Sequence, residues 1–435
     1  GKIDINNFIF ETITQEKTDS IVKNSDIEKS PKEDRFTLPQ QRNYDVEYSI
    51  NQLINQLDYN YINYSYQLFT GGGPIFFGNG LNAFLKVGVN DLLENYRLFG
   101  GVRLSFDLQN NEYLIGFENY KKRLNKQWLF HRQSNEISSN AFMKYRQHSV
   151  FYILTYPFNN VFAIKNSFSL RKDIVHFLSV DYQHLNEASR LSVLAGNKTE
   201  LIFDNTRNPQ TNIYFGTRGK LWVEYYQGIL EKEDNLIVAG IDVRHYIPLH
   251  KKFIWANRFA SSTSFGTTKL IYYMGGVDNW LIPKFNEKIN VPFDKNYTYQ
   301  TIASNMRGFT QNIRNGNSFT LINSEFRFPL FRYFYNRPLR SQVLNNFQIV
   351  AFGDIGTAWE GWNPFSENNS LFTSTIEQKP ITVIVKRQKN PIVGGFGPGL
   401  RTTLFGYFIR LDYAWGVEDG KIGKPIFYFS LSLDF

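Results

Sequence analysis

The sequence contains no cysteine, which excludes disulfide bridges, thiol chemistry and cysteine-held metal. Nor does it contain a run approaching ~18 consecutive apolar residues, the length a membrane-crossing helix needs. Charged residues make up 20% of the chain and the mean hydropathy is −0.36, so it is no helical membrane protein. Enzyme signatures are missing too: there is no Gly-x-Ser-x-Gly elbow, no His-Glu-x-x-His and no phosphate-binding glycine loop. The six histidines, His131, His148, His176, His184, His245 and His250, stand without ligand spacing. The net charge of +9 is spread along the chain with no dense basic block, which argues against nucleic acid as a partner. No apolar signal core follows Gly1; the expectation is a removed leader, or a chain that continues a longer polypeptide. The sequence therefore points to a non-enzyme with no cofactor and no metal.

Aromatic residues are what the chain has in abundance: 17%, with 40 Phe and 26 Tyr. A membrane barrel uses such residues in its lipid-facing band and interfacial girdles, although a Phe- and Tyr-rich soluble β protein fits the composition equally. Residues 11–39 are polar and mixed in charge and read as a linker. Gly71-Gly72-Gly73-Pro74 then breaks any regular element. From residue 80 onward, segments of about ten residues alternate apolar with polar, separated by turn chemistry. Sixteen such segments are expected, beginning at 80–90, including 160–171 and 174–184 as separate strands, and ending at 426–435. A ten-residue strand rises ~33 Å, and tilted by ~40° it covers the ~25 Å apolar band of an outer-membrane barrel. The expected fold is all-β, a 16-stranded antiparallel transmembrane β-barrel over 80–435. Residues 1–79 would be a periplasmic linker or the tail of a preceding domain. The first turn, 91–95, would then face outside, as would the two longest connections, 265–318 and 359–392. A third connection, 330–345, carries Arg332, Arg337 and Arg340 and reads as a solvated basic turn.

The last segment alternates most cleanly. Phe427, Phe429, Leu431, Leu433 and Phe435 share one face and Tyr428, Ser430, Ser432 and Asp434 the other. A lipid face and a lumen face account for this, whereas a soluble edge strand would expose large apolar side chains and invite aggregation. The same parity puts Asn323, Glu325 and Arg327 on one face of their strand, and Asp354 and Gly356 on one face of the next. Both carboxylates are therefore expected in the lumen. Arg307, in the long irregular stretch before them, has no local partner, and a guanidinium between two carboxylates makes strong charge-assisted hydrogen bonds. Gly308 would let the stretch turn, and Gly356 would leave room at the wall.

Several motifs carry a resemblance. Arg307-Gly308-Phe309, Glu325-Phe326-Arg327-Phe328-Pro329, the run from Phe352 to Trp359, Gly397-Pro398-Gly399-Leu400-Arg401 and the run from Ile409 to Ala414 follow in order and precede a terminal Phe. Together they resemble the C-terminal half of barrels in the BamA/TamA superfamily, which includes the two-partner secretion translocators. Gly275-Gly276 is similar to the opening of that family's sixth external loop, and Asp204-Asn205-Thr206-Arg207 with Arg218-Gly219 to a further family turn. The resemblance implies that Arg307, Gly308 and Phe309 hold a long sixth loop inside the barrel against Glu325, Asp354 and Gly356. It implies that the terminal Phe belongs to an assembly signal. It also implies a weak seam between the first strand, 80–90, and the last, 426–435. Two departures stand out. Residues 1–79 show no POTRA pattern, and residues 277–306 form a long insert with Trp280, Leu281, Ile282, Pro283 and Phe285 as an apolar contact site. A second resemblance, from Gly71-Gly72-Gly73-Pro74 and Asp91-Leu92-Leu93, is to proteins in which a periplasmic β-propeller precedes such a barrel.

The expected function is insertion, assembly or translocation of envelope proteins through that seam, in the bacterial outer membrane. Its partners would be outer-membrane lipids, periplasmic or lipoprotein subunits, and substrate outer-membrane proteins. A non-catalytic membrane anchor for a periplasmic complex and a passive channel are the alternatives.

Overall fold

In the computed structural model the described residues are 48–56, 66–69, 82–105, 110–137, 143–177, 188–230, 234–292, 296–335, 337–367, 369, 371–378, 381–386, 389–431 and 433–434. Val46–Phe435 forms one compact unit; Gly1–Asp45 lies outside the described residues, as do residues 71–74.

Sixteen wall strands follow one another along the chain: β1 (Tyr48–Gln56), β2 (Asn82–Asp91), β3 (Tyr96–Ser105), β4 (Asn111–Asn119), β5 (Asn125–Ile137), β6 (Met143–Pro157), β7 (Phe162–Phe177), β8 (Arg190–Asp204), β9 (Ile213–Gly228), β10 (Asn235–His250), β11 (Phe253–Phe265), β12 (Ser318–Phe328), β13 (Gln348–Trp359), β14 (Val393–Leu404), β15 (Tyr407–Glu418) and β16 (Ile426–Leu431). Each pairs antiparallel with its chain neighbour. Among the described residues no ladder joins β1 to β16.

The period of two decides which face of each strand is inside. In β12, Leu321, Asn323, Glu325 and Arg327 are buried while Ile322 and Phe326 are exposed. In β16, Tyr428 and Ser430 are fully buried while Phe427 is 57% exposed. Exposed Ile115, Phe168, Leu221, Ile355 and Phe396 continue this apolar exterior on other strands, a surface that lipid covers. Tight turns close one end. At Phe405-Gly406 both residues have positive φ, 51° and 85°, as a two-residue hairpin turn requires.

Three expectations are corrected. Residues 48–56 are a wall strand paired with β2, not linker. A register shift between Ile50 and Gln52 breaks the alternation there and hides the strand from a period-two reading. Segments 160–171 and 174–184 are not two strands: Phe162–Phe177 is one, paired without interruption to β6. Its Arg171-Lys172-Asp173 triplet looks like a turn but alternates inward and outward, with Arg171 and Asp173 buried and paired to each other at 2.8 Å. The two errors cancel in the count but reverse every strand direction before β8. Turn 92–95 therefore lies at the short-turn end, opposite the long connections 266–317 and 360–392. Third, the last strand stops at Leu431; Asp434 has φ 63° and turns into the lumen. Ser432 and Phe435 lie outside the described residues.

The long connection after β11 enters the lumen and builds its own sheet. Lys269–Met274 pairs with Arg314–Gly316 on one side and Tyr297–Ile302 on the other. Gln67–Leu68, from the connection between β1 and β2, adds a fourth strand beside Tyr299–Gln300. Leu270, Tyr272, Met274 and Met306 of this plug pack with Phe319 and Leu321 of the wall as the main apolar cluster.

Candidate functional site: the loop lock and the edge of the last strand

Arg307 is fully buried. Its Nε donates to Asp354 Oδ2 at 2.7 Å and its Nη2 to Asp354 Oδ1 at 2.6 Å, a bidentate fork. Its Nη1 donates to Glu325 Oε1, its backbone N–H to Asp354 Oδ2 at 3.1 Å, and its guanidinium lies 3.6 Å from the Phe352 ring centre. Burial alone would lower its pKa, but the Asp354 and Glu325 carboxylates outweigh that and raise it. The structure thus brings together the three charged groups whose strand parity pointed to one lumen.

The loop approaches the wall at glycines. Gly308, with φ 93°, lies against Trp415 and Gly416, and a side chain at Gly395 or Gly416 would meet the backbone oxygen of Arg307 or Gly308. At Gly356 it is Met274 that faces the wall from the loop, and its Cε would lie 3.1 Å from an added Cβ. Phe309 packs on the main cluster.

Sequence reasoning missed how far the ion pairing extends. Glu325 also accepts from Arg327 Nε at 2.7 Å. Arg327 Nη1 continues to Asp434 Oδ1 at 2.8 Å. Asp434 accepts from Arg244 at 2.7 Å, from Tyr246 at 2.5 Å and from Arg218. Arg401 pairs with Asp412 at 2.7 Å. Alternating charges therefore run along the inner wall from β9 to the chain's C-terminal turn, with Glu325 and Asp434 each set between guanidinium groups. Parity placed Asp434 on the lumen face, but nothing local predicted that the chain would reverse there.

Tyr428 is the second omission. Its hydroxyl accepts from the Gly308 N–H at 2.9 Å and donates to the Phe309 carbonyl at 2.7 Å. The last strand is thereby bonded to the Arg-Gly-Phe turn. The remaining residues of that strand fall as parity requires: Phe427, Phe429 and Leu433 are exposed, and Leu431 is half-buried.

On its other edge β16 meets the loop. Trp280 and Ser430 form an antiparallel bridge. Leu281 N–H donates to the Phe429 carbonyl at 3.1 Å, and Asn279 Nδ2 to the Leu431 carbonyl at 2.9 Å. The expected seam partner, 80–90, is not at this edge: β2 is paired on both sides, with β1 and β3. The two ends of the wall are β1 and β16.

The antiparallel wall and its inward-folded connection have a counterpart of similar fold among solved structures. The structure is similar to BamA from Haemophilus ducreyi lacking POTRA domains 1-3, with a TM-score of 0.52 over 89% of this chain and 75% of that one. The fold is that of a BamA-type outer-membrane barrel. At 12% identity the likeness is one of fold. CdiB from Acinetobacter baumannii (TM-score 0.43, 13% identity, 82% of this chain and 57% of that chain) and CdiB from Escherichia coli (0.45, 13%, 90% and 63%) are also similar. No family model and no curated protein matches the sequence.

Proposed function

We propose that this barrel inserts, assembles or translocates other envelope proteins through the seam between β1 and β16, and that Arg307, Glu325 and Asp354 keep the loop seated while it does so. One observation carries the reading. Among the described residues the last strand has a ladder to β15 but none to β1, and its other edge is met by a short loop segment. In lipid an edge of unpaired N–H and C=O groups is costly and is a template for an incoming strand by β-augmentation. The plugged lumen speaks against a wide passive channel.

The test uses the absence of native cysteine. Paired cysteines, one scanned through Tyr48–Gln56 and one through Ile426–Leu431, join the seam when oxidised. In vesicles supplied with an unfolded outer-membrane barrel as client, oxidation is expected to slow client assembly at least tenfold, and reductant to restore it. Undiminished assembly by the crosslinked protein overturns the proposal.

A further inference from the structure

The segment seated on the β16 edge is a poor occupant, and its defects are specific. Asn279 takes φ 55°, a left-handed conformation that costs little for Asn but does not continue a strand. Among the described residues its Oδ1 is buried without a hydrogen bond, as is Ser430 Oγ at the same contact. Trp280 covers the Tyr428 ring at 4.8 Å between centres. The register of the contact sets Asn279 against Leu431, Trp280 against Ser430 and Leu281 against Phe429. Carried on, it sets residue 283 against Phe427, where the next rung needs an N–H. Residue 283 is proline and has none. The ladder is therefore cut short by the sequence itself.

We infer that Asn279-Trp280-Leu281 is a resident stand-in for a client strand. It covers the edge of β16 at rest and is displaced by an extended, antiparallel polypeptide segment that carries an aromatic residue opposite Ser430. Such a segment keeps the ring on Tyr428, continues the ladder past Phe427, and can supply the polar partner that Ser430 Oγ lacks. This rests on the proposed protein-handling function and names what the seam recognises. It also ties recognition to the lock, because the Tyr428 ring that Trp280 covers carries the hydroxyl bonded to Gly308 and Phe309.

The probe is a fluorescent peptide with the sequence of residues 277–283, Val-Asp-Asn-Trp-Leu-Ile-Pro, titrated against the full chain in nanodiscs without any client. Leu281→Pro removes the one backbone rung and is expected to tighten peptide binding at least tenfold. Pro283→Ala lets the resident segment lengthen and is expected to weaken binding. A disulfide in Trp280→Cys/Ser430→Cys is expected to abolish binding until reduced. A peptide with alanine in place of its Trp is expected to bind at least tenfold more weakly. Heat-dependent gel mobility reports whether each variant is a folded barrel, and Asn279→Ala, which keeps the backbone rung, is a milder second route to a loosened segment. Equal peptide binding across the folded variants overturns the stand-in, and equal binding of the alanine peptide overturns the aromatic requirement. The two proposals fail separately. A seam disulfide that leaves client assembly intact removes the function while the peptide series stands. A flat peptide series beside a working seam block removes the stand-in alone.

Discussion

At the scale of single residues, the two carboxylates that hold Arg307 are not equivalent. Glu325 keeps the Arg327 guanidinium at 2.7 Å when the Arg307 side chain is removed, whereas Asp354 keeps no guanidinium among the described residues, but the Asn323 amide at 2.7 Å and the backbone N–H of residue 307 at 3.1 Å. Removing one partner of a buried pair costs ~3–5 kcal/mol, because a charge is left behind. Arg307→Ala is therefore expected to lower the stability of the refolded barrel by about that amount in denaturant titration. Adding Asp354→Asn should recover much of the loss, and adding Glu325→Gln should recover none and strand Arg327. Equal rescue by both would place the load on the wrong carboxylate. Arg307→Lys is expected to behave more like alanine than like arginine, since an ammonium cannot span the fork.

Elements raise a different question, which is what keeps the loop attached to the last strand. Tyr428→Phe preserves the ring beneath Trp280 but leaves the Gly308 N–H without its bond, and the Phe309 carbonyl with the Gly276 N–H at 2.9 Å. Each unsatisfied buried group costs ~1–3 kcal/mol. The expected outcome is a folded barrel whose loop is cut faster by an added protease than in the parent; an unchanged cleavage rate would show that Tyr428 does not hold the turn. This is also the scale at which the sequence stops being legible. The lumen faces of β12 and β13 could be read because an unbroken period of two runs through them, and with them came Glu325 and Asp354. Strand β1 could not, because one register shift scrambles its period. Strand β7 was split in two because charged residues inside a wall look like a turn until Arg171 and Asp173 are seen to satisfy each other. Tyr428 was legible as a lumen residue and not as a tether, since its partners are backbone groups that no side-chain pattern reports.

For the whole molecule, the plug is fastened at parts of the wall well separated in strand order. Arg307 holds it to β12 and β13. At β7, Tyr299 donates to Asp173 at 2.8 Å and lies under the Arg171 guanidinium, 4.4 Å from it. Single-channel recording in planar bilayers is expected to show a nearly closed parent, brief openings for Arg307→Ala, and large, frequent openings only when Tyr299→Phe is added. A wide steady conductance in the parent would contradict a seated plug.

The small sheet inside the lumen has a mechanical consequence. Gln67–Leu68 belongs to the hairpin that follows β1, and Asn279–Leu281 lies against β16, while the strands between them are continuous with one another. Tension that parts the two ends of the wall is therefore carried through the interior, as by a clasp fastened behind a torn hem. A stretched seam would yield at the weakest stitch, the contact of Trp280 with Ser430, well before the first hairpin lets go. The barrel would then gape at the last strand while still holding its own plug by the first.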